Sequence, residues 1–462
     1  MIDRTSLYVG GAWVASSSTE HIDVHDPASE EVIGRVTAGT PQDVDRAVAA
    51  ARAALGPWAI TPAAERMAFV DRLLAALTEG SEEMARTITA EMGAPPRIAS
   101  AVQVGLPLQV LAGYAALLAD FPWEERIGTS LVLKEPVGVV AAITPWNYPL
   151  YQLVAKVVPA IAAGCTVVLK PSEIAPLSAY LVADMLHAIG VPPGVFNLIT
   201  GTGAVVGAAL VSHDGVDMVS FTGSTRAGQE IAATAGIKRV TLELGGKSAN
   251  VLLDDADFAK AVKAGVSNAF LNSGQTCTAW TRMIVPRARQ AEVAETAAGL
   301  ADAMAPKLGP VASRAQYDRV QAYIATAIDE GARLVAGGPG RPESVTAGHY
   351  VRPTVFADVA SSMTVAQEEI FGPVLSIMPY DDEAEALAIA NSTIYGLAGG
   401  VWSADASRAL AFARGMQAGQ VDINGAAFNP VAPFGGVKSS GVGRELGRYG
   451  LEEFLVTKSI QL

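Results

Sequence analysis

From residue 137 to residue 244 the chain alternates short, valine-rich apolar runs with longer alanine-rich stretches of helical spacing. Runs such as 137–143, 166–169 and 218–221 are apolar but for Thr166 and Ser220, with no polar alternation, which is how strands of a parallel sheet covered on both faces read. The intervening stretches predict the covering helices. A second alternating series begins at 249–253 and continues beyond Val437. Ahead of both, segment 40–55 predicts a helix, with Thr40 as its cap, Pro41 at the first helical position and acidic side chains in the first turn. Further helices are predicted at 62–79, 81–91 and 99–119. The glycine-rich segment 336–342 predicts a surface loop. Two stretches fit neither series: 121–136 reads as a hairpin arm and 454–462 as a terminal strand. A chain of 462 residues exceeds what one core supports. The fold class expected is α/β, with two Rossmann-like parallel-sheet domains plus a small β arm. The first domain takes 1–115 and 137–245, the second 246–439, and the arm 116–136 with 440–462.

Composition narrows the classes of function. The hydrophobic share is 50% and the mean hydropathy +0.30, yet no uninterrupted apolar run reaches membrane-spanning length, since 153–168 is broken by Lys156, Pro159 and Gly164. Lysine and arginine number 33 against 46 aspartates and glutamates, a formal charge of −13, which argues against nucleic acid or an anionic membrane as partner. Met1-Ile2-Asp3-Arg4-Thr5 runs straight into an apparent strand and turn at 7–14, so no signal peptide is expected. Two cysteines make no disulfide framework, which predicts the cytoplasm. His21, His25, His187, His213 and His349 are scattered without metal-ligand spacing, and no metal is expected.

The cysteines differ in setting. Cys165 lies in an apolar run and reads as a small core hydrophobe. Cys277, in Asn272-Ser273-Gly274-Gln275-Thr276-Cys277-Thr278, is flanked by small and hydroxyl side chains, where a nucleophile meets a substrate. Upstream, Glu243 stands between two leucines and is followed by paired glycines, as a base held in a low-dielectric pocket would be. Asn147 follows an apolar strand in a turn bracketed by Pro145 and Pro149, which suits an amide donor aimed at an oxyanion.

Trp146-Asn147-Tyr148-Pro149, Lys170-Pro171-Ser172-Glu173, Phe221-Thr222-Gly223-Ser224-Thr225, Glu243-Leu244-Gly245-Gly246-Lys247, Gly274-Gln275-Thr276-Cys277, Glu369-Ile370-Phe371-Gly372-Pro373 and Pro433-Phe434-Gly435-Gly436-Val437-Lys438 stand in the order of the NAD(P)-dependent aldehyde dehydrogenase superfamily. The chain resembles that superfamily along nearly its whole length. The resemblance implies oxidation of an aldehyde to a carboxylic acid through a thiohemiacetal and then a thioester on Cys277. Asn147 would share the oxyanion with the Cys277 N–H, and Glu243 would activate the hydrolytic water. Members lacking a glutamate at the Glu243 position transfer the acyl group to coenzyme A, and others of the fold serve as cofactor-binding or structural proteins. Both remain alternatives. The resemblance also makes 1–115 and 137–245 the NAD-binding domain, 246–439 the catalytic domain, and the arm an oligomerisation element of a homodimer or homotetramer.

No standard dinucleotide fingerprint is present: 201–207 is one residue too long for G-x-G-x-x-G, although Gly203 stands in it. The turn at Gly223 and Ser224, between the strand ending at Phe221 and a helix, is better placed to hold a pyrophosphate. The resemblance places the rest of the cofactor over Ile143, Thr144, Pro145, Trp146, Leu244 and Gly245, with Glu369 and Phe371 at the nicotinamide end. Lys170, Ser172 and Glu173 would meet the adenosine ribose. A glutamate there accepts from ribose hydroxyls and repels a 2′-phosphate, which favours NAD. The aldehyde tunnel is expected along Tyr148, Tyr151, Gln152, Ala155, Thr276, Thr278, the loop 425–430 with Phe428, and Phe434. No arginine or lysine stands in these segments to receive a substrate carboxylate, which points away from semialdehyde acids.

Overall fold

The computed structural model describes residues 2–462; Met1, at the head of the segment read for a leader, lies outside them. Five parallel strands form the middle of the first sheet, in the order Arg239–Glu243, Met218–Thr222, Val139–Ile143, Thr166–Lys170 and Phe196–Leu198. Every residue of Val139–Ile143, Thr166–Lys170 and Met218–Thr222 is buried, which is why these runs carry no polar alternation. The chain leaves Val139–Ile143 towards one side and later returns to its other side, a reversal of strand order that opens a crevice at the carboxyl ends. Register brings Ile143 opposite Lys170 and Thr222 opposite Glu243, so the segments that follow these strands share that crevice.

The second sheet has seven strands, six of them parallel, in the order Arg333–Ala336, Thr354–Ala357, Val374–Tyr380, Arg282–Pro286, Ala249–Leu252, Ala398–Trp402 and Gln420–Ile423. The arm is a third, antiparallel sheet of Leu455–Gln461, Ser130–Pro136 and Glu124–Ile127. A fourth small sheet, Ile2–Arg4, Val32–Thr37 and His21–His25, flanks the first.

The helix predicted at 40–55 starts as expected and runs Pro41–Ala59. Thr40 Oγ1 accepts the Asp43 N–H at 3.3 Å while the Asp43 carboxylate accepts the Thr40 N–H at 3.0 Å, a reciprocal cap. Helices Ala63–Glu79 and Ser81–Met92 lie within a residue of expectation. Three features differ. Helix 99–119 is part of a longer rod, Pro96–Ala119, whose turn Ala99–Val104 is widened to π geometry ahead of Pro107, a residue that cannot donate into a regular ladder. That rod of 24 residues is long and apolar enough to cross a membrane by length and composition only, although Arg97, Gln103 and Gln109 interrupt its apolar run. Here its buried residues Val110, Leu111, Tyr114 and Leu118 join the core against helices Ala63–Glu79 and Pro149–Ala163. Finally, segment 440–462 is divided. Gly441–Val442 pairs antiparallel with Arg239–Glu243 as an edge of the first sheet, and helix Gly447–Glu452 packs on that body. Only Leu455–Gln461 joins the arm. Gly441 permits the pairing, because a Cβ there would lie 2.1 Å from the Leu242 carbonyl oxygen.

Candidate active site

Three consecutive residues before Cys277 have left-handed backbone: Asn272 (φ 53°), Ser273 (φ 57°) and Gly274 (φ 75°). Such a run is strained outside glycine and persists only where the surroundings hold it. Asn272 Nδ2 donates to the Asn147 carbonyl at 3.0 Å, and Ser273 Oγ to the Gly309 carbonyl at 2.7 Å. The Gln275 side chain donates to the Asn272 carbonyl at 3.1 Å and accepts the Ala312 N–H at 2.8 Å. At Gly274 a Cβ would fall 2.1 Å from the Gly372 carbonyl oxygen, and at Gly246 one would fall 2.2 Å from the Cys277 carbonyl oxygen. The glycines of two separate motifs, Gly274 and Gly246, thus let backbone lie on backbone around one thiol.

Asn147 is buried, and its Nδ2 donates to the Gln275 carbonyl at 3.0 Å. An amide nitrogen carries two hydrogens, so one donor remains for a ligand beside Cys277. Gln103, in the π turn, donates to the Asn147 carbonyl at 2.9 Å. The widened turn therefore helps to fix the asparagine. Nothing in the spacing of Gln103 announced this.

Glu243 closes the strand Arg239–Glu243 and is buried, with Oε2 lacking any hydrogen-bond partner. Burial and the neighbouring Glu445 push its carboxyl well above the ordinary carboxylate range, while Lys156 and Arg444 pull the other way. Gly435 leaves room for it, since a Cβ there would lie 2.5 Å from Glu243 Oε1. Lys156 donates to Thr222 Oγ1 at 2.6 Å and forms a buried ion pair with Glu445. In the sequence, Lys156 had figured only as a break in an apolar run, and Glu445 not at all. The Cys277 thiol is also pushed up, first by burial and then by Glu369, Glu243 and Glu445. Cys165 is buried in the core and donates to the Phe454 carbonyl at 3.4 Å.

Cys277 lines two cavities. A groove of 190 Å³ is bounded by Pro145, Trp146, Asn147, Thr222, Gly223, Ser224, Leu244, Gly245, Glu369 and Phe371. Trp146 and Phe371 meet edge to face with centroids 5.5 Å apart. The Glu369 carboxyl, raised to about 7 by burial, accepts the Gly246 N–H at 3.0 Å, and Gly245 gives it room. Ile143, Thr144, Lys170, Ser172, Glu173 and Phe221 lie at or after the carboxyl ends of adjacent strands, along the crevice beyond this groove. Lys170 Nζ donates to the Pro171 carbonyl at 2.7 Å and pairs with Glu173 at 3.3 Å, leaving the glutamate partly exposed. Ser224 caps helix Thr225–Thr234 and is itself exposed. Gly203 is exposed on its own turn, which approaches Lys170 only through Gly207. Room beside the thiol, a helix start and an acceptor for hydroxyls together fit a dinucleotide.

The second cavity is a tunnel of 610 Å³ along Tyr148, Tyr151, Gln152, Thr276, Thr278, Phe428 and Phe434, all as expected. Tyr148 and Thr276 hydroxyls hydrogen-bond at 2.7 Å. Ala155 does not reach the wall; its methyl group is buried in the core of helix Pro149–Ala163. The tunnel also takes in Trp280, just past the Cys277 motif, and Gln420 and Asp422, on a strand that carries no motif; none of the three stood out in the sequence.

Residues 13–460 match the profile of the Aldehyde dehydrogenase family. The chain belongs to the aldehyde dehydrogenase family. It is 48% identical over 476 residues to 3-succinoylsemialdehyde-pyridine dehydrogenase of Pseudomonas sp, covering 100% of this chain and 99% of that one. A mutant of aldehyde dehydrogenase C from Pseudomonas syringae, solved with NAD+ and octanal, superposes with a TM-score of 0.98 at 51% identity, over 99% of this chain and 96% of that one. Aldehyde dehydrogenase of Mycobacterium tuberculosis, solved with NAD+, gives 0.97 at 42% identity, over 100% and 98%. The protein is an NAD-dependent aldehyde dehydrogenase with the two-domain α/β fold of that family.

Proposed function

We propose that this aldehyde dehydrogenase works through a covalent intermediate on Cys277, and the observation carrying this reading is that one thiol lines both the groove and the tunnel. The Cys277 thiol gives up its proton to solvent as its sulfur adds to the aldehyde carbon, and the carbonyl electron pair moves to oxygen. That oxyanion is met by the free Asn147 amide hydrogen and the Cys277 N–H. Bound NAD supplies the acceptor for the hydride leaving this carbon. Cys277 then holds a thioester, whose sulfur is a good leaving group. Glu243 draws a proton from a water whose oxygen attacks the thioester, and the carboxylic acid departs as Cys277 regains its electron pair. The carboxyl of Glu243, raised by burial and Glu445, is a stronger base than an ordinary carboxylate. Its presence favours hydrolysis over transfer to coenzyme A, and the retention of both nucleophile and base favours an enzyme over a structural protein. A free thiol as nucleophile fits a reducing compartment such as the cytoplasm.

In the same reading, residues 1–115 and 137–245 bind NAD, 246–439 carry the nucleophile, and the arm joins copies of the chain. Gln420–Ile423 is an open edge of the second sheet, and the six residues after Leu455 in Leu455–Gln461 are exposed. Strand addition between two copies would cover both.

Replacing Cys277 by Ser is expected to lower NADH formation from octanal by several orders of magnitude while NAD still binds, read by fluorescence titration. Cys165→Ser should change stability alone. Equal turnover by Cys277→Ser and the unmutated protein would refute the assignment.

A further inference from the structure

Asp422 is the one charged residue among the described residues lining the 610 Å³ tunnel. The rest of the wall is apolar, aromatic or neutral polar. Gln420 and Asp422 sit two apart on the edge strand Gln420–Ile423 and face the tunnel together, while Val421 and Ile423 pack into the core on the other side. The Gln420 amide donates to Asp422 Oδ1 at 3.0 Å. No lysine, arginine or histidine forms an ion pair with Asp422 among the described residues. Register sets Asp422 level with Gly400, over which Trp280 lies: a Cβ on Gly400 would be 3.0 Å from the indole ring.

Burial raises the Asp422 carboxyl against the pull of the Gln420 amide. A largely buried carboxylate with one neutral hydrogen-bond donor and no countercharge is poorly satisfied by the protein alone. A positive charge brought by the substrate would satisfy it, and a negative one would meet both repulsion and desolvation. The Trp280 indole lines the same tunnel.

Resting on the dehydrogenase reading, we propose that Asp422, oriented by Gln420, is the charge-selecting residue of the tunnel and favours aldehydes bearing a cationic nitrogen remote from the carbonyl over those ending in a carboxylate. The carboxylate touches the far part of the substrate and takes no part in the chemistry at Cys277. Three probes of similar reach separate the effects: 4-(trimethylammonio)butanal, its neutral isostere 5,5-dimethylhexanal, and succinic semialdehyde. In the unmutated enzyme kcat/KM should fall in that order. Asp422→Asn should lower the ratio of cation to isostere at least tenfold, and Asp422→Lys should bring succinic semialdehyde above the cation. Turnover of the neutral isostere by each variant reports an intact catalytic centre independently. If it is turned over and the ratio of cation to isostere is the same in the unmutated and Asp422→Asn proteins, the proposal is overturned. If none of the three is oxidised by the unmutated enzyme while octanal is, the proposal also falls; loss of octanal oxidation as well would count against the reading of Cys277.

Discussion

Glu173 shows how one side chain sets a preference. Its carboxylate is partly exposed and tied only to Lys170, so it is available to ribose hydroxyls. A 2′-phosphate at about 4 Å from it would be repelled by roughly 1 to 4 kcal/mol between bulk water and a protein surface. Since about 1.4 kcal/mol is tenfold, Glu173→Ser should shift the ratio of kcat/KM for NADP over NAD upward by about tenfold. Steady-state assays with both cofactors check this, and an unchanged ratio would remove Glu173 from the ribose site. At this scale the sequence offers candidates where chemistry dictates residue type: Cys277, Glu243 and Asn147 are suggested by their settings taken together, not by any one of them alone. It was least legible where a residue acts through its fold neighbours. Gln103, Asn272, Lys156, Glu445 and Asp422 are ordinary in sequence and become meaningful only by the atoms they face.

Among the elements, the parallel strands were readable because burial on both faces removes polar alternation, and the first helix because Thr40, Pro41 and Asp43 spell its start. The π turn was not, since its cause is a local accommodation ahead of Pro107 rather than a period. Short edge strands such as Gly441–Val442 also escaped, being defined by pairing and close approach. The turns that join motifs are the sensitive points. Gly246→Ala would place a methyl group 2.2 Å from the Cys277 carbonyl oxygen. Backbone must move there, and a displacement of about 1 Å at a reacting centre costs on the order of 10²-fold. The expected outcome is a loss of kcat of that size with NAD affinity largely kept, measured by steady-state kinetics beside a cofactor titration. Wild-type kcat in Gly246→Ala would show that the contact is not restrictive.

The molecule as a whole brings elements of its two large sheets to one centre. The two large bodies were foreseen from the alternating series, whereas the division of 440–462 between body and arm follows from where Gly441 and the helix Gly447–Glu452 dock. Exposed Val456 and Ile460 on Leu455–Gln461 stand two turns of the pleat apart on the same face. If that strand adds to a second copy, Val456→Asp with Ile460→Asp should reduce the mass in solution to that of one 47.7 kDa chain. Light scattering after size exclusion measures it, and an unmutated protein already of that mass would contradict the pairing.

The account as a whole turns on Cys277 carrying the acyl group and Glu243 releasing it. Burial and Glu445 raise the Glu243 carboxyl, so below its pKa the base is protonated and idle, and the steady rate of the unmutated enzyme should climb with pH at values above the ordinary carboxylate range. The direct measurement is rapid mixing of Glu243→Gln with NAD and octanal, followed by mass spectrometry of the protein. A burst of about one NADH per Cys277, then near-silence with an octanoyl group on that residue, is the predicted result. Sustained turnover without a burst, or a protein with no acyl group on Cys277, would contradict it.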